Sequence, residues 1–327
     1  MNPITPTIPF DAQGKQHGFL RLPDSRDTSA WGSVMIPITV ISKGEGPTAL
    51  LTGANHGDEY EGPIALQSLA HELNANEVSG RIIIVPYMNT PAFLAARRTS
   101  PLDGGNLNRS FPGDPKGGPT EKIADYFQSI LLPMADIVLD FHSGGKTLDF
   151  VPFAAAHRLD DTEQEAACIA AMRAFNAPYS MILREMDATG MYDTTAEEAG
   201  KVFVTTELGG GGSATSRTAG IARKGVRNVL KHAGILSGVP EMGPSIDIDT
   251  SADGCFHISE QPGLIEYLVE LGDDLRVGDP IARVWSTERS GQAPQIVPAQ
   301  IDGIFAARHF PGLIGMGDCL ALVAQRA

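Results

Sequence analysis

The stretch Asn55-His56-Gly57-Asp58-Glu59 places an imidazole and a carboxylate three residues apart, straight after the apolar run Ala49-Leu50-Leu51. A borderline nitrogen ligand and a hard oxygen ligand on a turn leaving a strand can point at one ion. A catalytic zinc takes three protein ligands and keeps one position open, and two histidines with one glutamate are a common set. The second histidine must come from elsewhere, and His142 fits. It closes the apolar run Asp136-Ile-Val-Leu-Asp-Phe141 and is followed by Ser-Gly-Gly. Asp140, Asp58 and Asn55 are the nearby groups that could orient the imidazoles. A His-x-x-Glu pair alone is common by chance. Glu59 and Glu61 also have a structural use, since carboxylates favour a helix N-terminus. The weight lies in the combination.

Two further features extend the chemistry. Glu207 ends the apolar run Lys201-Val-Phe-Val-Thr-Thr and precedes four glycines. A carboxylate there could take a proton from an activated water and return it to a leaving amine. Between Ala95 and Pro115 lies a segment rich in Gly, Pro and Asn, too long for a simple connector. It carries Arg97, Arg98, Asn106, Asn108 and Arg109. One guanidinium could hold a substrate carboxylate, and another could steady a developing oxyanion.

Elements must bring these distant positions together. Thr48–Ala54, Gly80–Met88, Asp136–Phe141 and Lys201–Glu207 read as strands covered on both faces. Between and after them, Gly62–Asn74, Thr120–Met134, Asp161–Phe175 and Ser216–Ile235 carry helical patterns. Such alternation predicts an α/β fold with a largely parallel or mixed sheet, whose strand ends open on a binding crevice. His56, Glu59, His142 and Glu207 all follow strand ends. Beyond Gly238 the helical signal stops, and residues 240–327 read as short strands between turns. Two phrases echo each other, Arg276-Val-Gly-Asp-Pro-Ile-Ala-Arg-Val284 and Gly315-Met-Gly-Asp-Cys-Leu-Ala-Leu-Val323. Matched Gly-Asp turns in an all-β module are expected, resembling a lipoyl/biotinyl barrel. That barrel carries its cofactor on a lysine, and no lysine follows Lys231. The expected division is 1–238 for the catalytic domain, with a β-rich lead-in, and 239–327 for the β domain.

Composition narrows the class. With 42% apolar and 20% charged residues the chain is globular rather than disordered. Its formal charge of −14, from 25 basic against 39 acidic residues, argues against nucleic acid or an anionic membrane as partner. No apolar run reaches the roughly 18 residues of a bilayer span, and the N-terminus lacks the pattern of a signal peptide. Three scattered cysteines, Cys168, Cys255 and Cys319, suit a reducing compartment. A cytoplasmic location is the expectation.

The ordered set Asn-His-Gly-Asp-Glu, Asn-Leu-Asn-Arg, Asp-Phe-His-Ser-Gly and Thr-Thr-Glu-Leu-Gly-Gly resembles the succinylglutamate desuccinylase/aspartoacylase family, related to the zinc carboxypeptidases. The likeness spans roughly residues 48–235, and the four-part order is more specific than any one motif. It implies a zinc carboxypeptidase-like mixed-sheet domain followed by a barrel-sandwich-like β domain. It implies zinc (Zn2+) held by His56, Glu59 and His142, with Glu207 as general base and acid. Asn108 and Arg109 match the family's carboxylate-binding pair; Arg98, or alternatively Arg97, matches the carbonyl-polarising arginine. The family commonly has Asp-Leu-Asn-Arg where this chain has Asn106-Leu107-Asn108-Arg109, which affects the substrate end rather than the metal end. The implied activity is removal of an acyl group from the nitrogen of a small amino-acid derivative. The lead-in, the Asn-Leu-Asn-Arg-Ser-Phe-Pro-Gly segment and the lysine-free module are similar to the branch acting on an acetylated diamino acid. Its free ammonium would need an anion, with Asp193, Glu197, Asp149 and Glu61 as candidates. Aspartoacylase, desuccinylase or short-peptide carboxypeptidase activity are the alternatives, and a non-enzymatic binding module is the remaining one.

Overall fold

A computed structural model describes residues 1–183 and 189–327. The lead-in contributes β1 (Thr5–Pro6), β2 (Gly14–Pro23) and β3 (Ser33–Lys43). There follow β4 (Thr48–Gly53), α1 (Glu61–Glu72), β5 (Gly80–Val85), α2 (Thr90–Leu94) and α3 (Pro119–Tyr126). From α3 the chain passes through a π-turn at Phe127–Leu131 into the short α4 (Leu132–Met134). Next come β6 (Ile137–His142), β7 (Leu148–Phe150), β8 (Phe153–His157), α5 (Thr162–Phe175), β9 (Tyr179–Leu183), α6 (Tyr192–Glu198), β10 (Val202–Glu207) and α7 (Ser216–His232).

The alternating apolar residues of the strands bury on opposite faces. Ala49 and Leu51 of β4, with Ile137 and Leu139 of β6, pack under α1, α5 and α7. Leu50 and Val138 pack on the other side, against α3, α6 and the lead-in strands. This double cover explains the continuous apolar runs. Local signals set the helix ends. The Asp161 carboxylate accepts from Glu163 N and Gln164 N at the start of α5, and Asn176 closes that helix in the left-handed region (φ 57). The Thr215 hydroxyl accepts from Thr218 N at the start of α7.

The rest is all β: β11 (Ile246–Asp249), β12 (Phe256–Ile258), β13 (Gly263–Tyr267), β14 (Asp274–Leu275), β15 (Pro280–Trp285), β16 (Gln295–Pro298), β17 (Gly303–His309), β18 (Leu313–Ile314) and β19 (Cys319–Arg326). The main sheet runs β1-β2-β3-β5-β4-β6-β10-β8-β9-β11-β19-β17-β14, with β12 on β19 and β7 on β17. It is mixed: β5, β4, β6 and β10 are mutually parallel, whereas β8 is antiparallel to β10. A second sheet, β16-β15-β13-β18, packs on it through Ile281, Val284, Phe305, Leu320 and Val323.

The two echoing phrases form like turns. Asp279 Oδ2 accepts from Arg276 N and Asp318 Oδ2 from Gly315 N, both at 2.8 Å. Gly278 and Gly317 sit at φ 91 and 92, a region glycine enters without strain. A third copy, overlooked in the sequence, lies at Glu270–Asp273, where Asp273 Oδ2 accepts from Glu270 N at 2.9 Å. Cys168 and Cys255 are buried, Cys319 is half-buried, and all three are free thiols. Among the described residues no helix is long and apolar enough to cross a membrane.

Candidate active site

Three adjacent parallel strands, β4, β6 and β10, end at one level. In register, Thr52 faces Asp140, Gly53 faces Phe141, and His142 faces Glu207. Residues issuing from these ends therefore share one crevice. Leaving β4, the chain turns through Ala54, which has a positive φ of 52. Asn89 holds the turn, donating from its backbone N to Ala54 O and from Nδ2 to Asn55 O. Gly57 then passes so close to α2 that a Cβ would lie 2.0 Å from the Ala92 carbonyl carbon. Only glycine fits there, and that contact carries His56 and Glu59 inward.

The donor atoms of His56, Glu59 and His142 lie within 4.8 Å of one another, and all three residues are buried. Glu59 bridges the imidazoles, with Oε1 2.7 Å from His56 Nδ1 and Oε2 3.0 Å from His142 Nδ1. On its far side His142 Nε2 meets Asp140 Oδ2 at 2.9 Å. Asp140 is held by Thr52 Oγ1 at 2.6 Å and by Asn55 Nδ2 at 3.2 Å. Burial alone would lower the His142 pKa, but the Asp140 and Glu59 carboxylates outweigh it and raise it well above the usual value. Burial likewise opposes ionisation of Glu59, yet His56 and His142 hold its carboxyl well below the carboxylate range. Burial pulls the His56 imidazole down, with Glu59 acting against it.

This donor set suits a divalent cation. Arg98 Nη1 points at His56 Nδ1 from 3.3 Å while Glu59 crowds the same nitrogen, so one ring atom cannot satisfy both neighbours. His56 Nε2 is buried with no hydrogen-bond partner. Two imidazole nitrogens and a carboxylate converging on one point are what a cation in place of protons would stabilise.

Glu207 stands beside this cluster with Oε2 buried and unpartnered. Burial, reinforced by the negative charge of Glu59, pushes its carboxyl up to about 8. A cavity of about 420 Å³ opens over the group. His56, Glu59, Arg98, Asn108, Arg109, His142 and Glu207 all line it. Arg98 also lies 3.8 Å from Glu59 Oε1, whereas Arg97 does not line the cavity and its backbone instead joins the turn, accepting from Gly57 N. The segment carrying Asn108 and Arg109 makes a short 3-10 turn over Leu107–Arg109. The buried Asn108 Oδ1 accepts from Asn55 Nδ2 and from Tyr192 N.

Some expectations change. Asp58 orients no imidazole; its Oδ2 accepts from Lys146 N and ties down the loop after β6. Glu61 does stand at the start of α1, but inside the protein. It is buried beneath Gly209, accepts from Thr218 Oγ1 at 3.2 Å, and burial pushes its carboxyl up to about 7. The sequence reading also missed much of the cavity wall: His157, Met191, Thr205, and from the C-terminal segment Thr250, Phe256 and Leu322. Of these, only the apolar or β-branched character of the strand residues Thr205, Phe256 and Leu322 was visible in advance.

Residues 45–233 match the family described as succinylglutamate desuccinylase/aspartoacylase catalytic domain. The N-alpha-acetyl-L-2,4-diaminobutyric acid deacetylase of Halomonas elongata is 55% identical over 327 residues, covering 99% of this chain and 95% of the relative. A product-bound structure of the ectoine utilization protein EutE (DoeB) from Ruegeria pomeroyi superposes with a TM-score of 0.98 at 62% identity over 99% of each chain. A succinylglutamate desuccinylase crystal structure from a Silicibacter species also superposes at 0.98, with 61% identity over 100% of this chain and 99% of the other.

Proposed function

This chain belongs to the succinylglutamate desuccinylase/aspartoacylase family, and on that premise we propose that it hydrolyses the acetyl amide of N-alpha-acetyl-L-2,4-diaminobutyrate in ectoine breakdown. Convergence of the His56, Glu59 and His142 donor atoms beside Glu207 carries the reading. These three residues would hold a zinc ion. When bound, zinc supplies Lewis acidity and makes a nucleophile of water at neutral pH. Glu207 accepts the proton released from water and returns it to the departing amine, a role suited to a carboxyl whose pKa burial has raised. Arg98, with its side chain 52% exposed at the mouth, directs positive charge to the carbonyl oxygen as charge develops there. Asn108 and Arg109 grip the substrate carboxylate.

Residues 239–327 form, in this reading, a unit that narrows the cavity, since Thr250, Phe256 and Leu322 stand on its wall. A closed wall suits a small acyl amino acid better than a peptide. A cytoplasmic location accords with the scattered free thiols.

The test is a deacylation screen of zinc-loaded protein. The acetylated diamino acid should be turned over with much higher kcat/KM than N-acetylaspartate or succinylglutamate. A preference for either diacid overturns the proposal.

A further inference from the structure

Asn55 is bonded to both ends of the site without lining the cavity. It is fully buried and directly precedes His56. Its Nδ2 donates to Asn108 Oδ1 and to Asp140 Oδ2, each at 3.2 Å. Resting on the function proposed above, we propose that Asn55 is a positioning residue for both ends. It aims the Asn108 amide at the substrate carboxylate and steadies Asp140 behind His142, so that zinc binding and carboxylate binding are coupled.

The orientation of each amide follows from its partners. Tyr192 N can only donate, and it reaches the Asn108 side chain at 3.1 Å. The atom it meets is therefore the oxygen, Oδ1. Asn55 meets that same oxygen and the Asp140 carboxylate, so it must present Nδ2 to both. An amide nitrogen carries two hydrogens, one for each acceptor. Asn108 lines the cavity. With its Oδ1 held inward by two donors, its Nδ2 is the atom available to the substrate, and a carboxylate can only accept. An Asn108 amide turned over would set oxygen against oxygen.

The other hydrogen serves the metal end. Asp140 Oδ2 takes it alongside His142 Nε2 at 2.9 Å, while Asp140 Oδ1 accepts from Thr52 Oγ1 at 2.6 Å. A group that holds a ligating imidazole from its far side sets the direction of the ring and its affinity for metal. Both bonds share one planar amide, so a shift of Asn55 at one acceptor is passed to the other. An asparagine on a turn commonly bonds the nearby backbone. Here both hydrogens go to side chains, 53 and 85 residues away in the chain. The turn itself is held by a different amide, Asn89 Nδ2 on Asn55 O.

The experiment compares the parent with Asn55→Ala and Asn55→Thr, using circular dichroism to check the fold and two readouts. The first is the zinc affinity of the substrate-free protein, titrated against a competing chelator. The second, at saturating zinc, is the ratio of kcat/KM for N-alpha-acetyl-2,4-diaminobutyrate to that for its carboxamide. Asn55→Ala should lose about 10-fold in zinc affinity. It should also lose about 3- to 10-fold in carboxylate preference, chiefly through KM. Threonine has one hydroxyl hydrogen to give, so Asn55→Thr should recover at most one of the two. A variant that slows both substrates by one factor, or that loses one end alone in Asn55→Ala, overturns the proposal. Coupling is reciprocal, which gives a test that leaves Asn55 in place. The Asn108 side chain bonds to Asn55 and Tyr192, one step removed from Asp140. Asn108→Ala should still weaken zinc by about 5-fold, and an unchanged zinc affinity overturns the proposal. Failure of the underlying function looks different, as a parent inactive on both substrates, and it removes this proposal too.

Discussion

His142 illustrates how one side chain takes its role from the next. Its Nδ1 faces Glu59 and its Nε2 faces Asp140, so the ring cannot swing without breaking one contact. Thr52 and Asn55 hold Asp140 in turn, and Asn55 reaches on to Asn108 at the substrate end. Asp140→Asn keeps the shape but replaces an anionic acceptor with a neutral amide. Zinc affinity should fall about 10- to 100-fold while the fold is kept. Titration against a competing chelator, with circular dichroism as the control, would measure it, and unchanged affinity would mean that Asp140 does not support the metal. The His56, Glu59 and His142 cluster could be read in the sequence because each has a chemically unusual type for its place, a histidine or glutamate just past an apolar strand. The contacts among Asp140, Asn55 and Asn108 could only be listed as possibilities, since Asn and Asp near a turn also serve the backbone.

At the scale of elements, the crevice exists because α1 lies close against β6. Gly62, in the first turn of α1, is buried, and a Cβ there would lie 2.1 Å from Phe141 Cβ. That atom is next to the backbone of β6, so little can yield. Alanine gains up to about 1 kcal/mol from helix propensity. Overpacking a rigid contact costs about 1–3 kcal/mol. The steric cost should win, so Gly62→Ala is expected to lower unfolding stability by about 1–2 kcal/mol. Denaturant titration would measure it, and a stabilised variant would show that α1 can shift freely. The strands and long helices were legible in the sequence because apolar residues recur at the period that burial demands. The π-turn at Phe127–Leu131 was not, because its apolar spacing matches that of the helix on either side. Nor was the positive φ of Ala54 and Ala96, since alanine rather than glycine occupies that region.

For the molecule as a whole, the question is whether the C-terminal β segment is an appendage. β11 pairs in parallel with β9 of the helix-covered sheet, and β17 pairs with β7. Val151, Phe153 and Met181 share one apolar cluster with Ile248, Ile304 and Leu322. Composition distinguished this segment, but long-range pairing leaves no local signature, so its part in the cavity was hidden. His257 offers a probe of the connection. It is buried on β12, accepts from Gln300 N at Nε2 and donates from Nδ1 to Cys255 O, a pattern that needs a neutral ring. Burial lowers its pKa, with backbone acceptors including Cys255 acting against the shift. Above the unfolded pKa of about 6.5 the ring is neutral in both states and stability is unaffected. As pH falls below that value the unfolded chain gains the proton first, so stability is lost with acidification. Asp, Glu and other histidines add their own slopes, which a paired variant cancels. His257→Asn keeps a donor and an acceptor but cannot titrate, so its Tm should fall less than the parent's between about pH 7 and 5. Because Phe256 of β12 pairs with Leu322, and both line the cavity, the parent's acid transition should also open the substrate site. Thermal scans at each pH, with tryptophan fluorescence reporting the β segment at Trp285 and product binding reporting the cavity, would follow both. Parallel pH profiles for parent and variant would show that His257 does not govern the acid response, and a cavity that keeps binding product after the β segment has melted would show that the segment is an appendage after all.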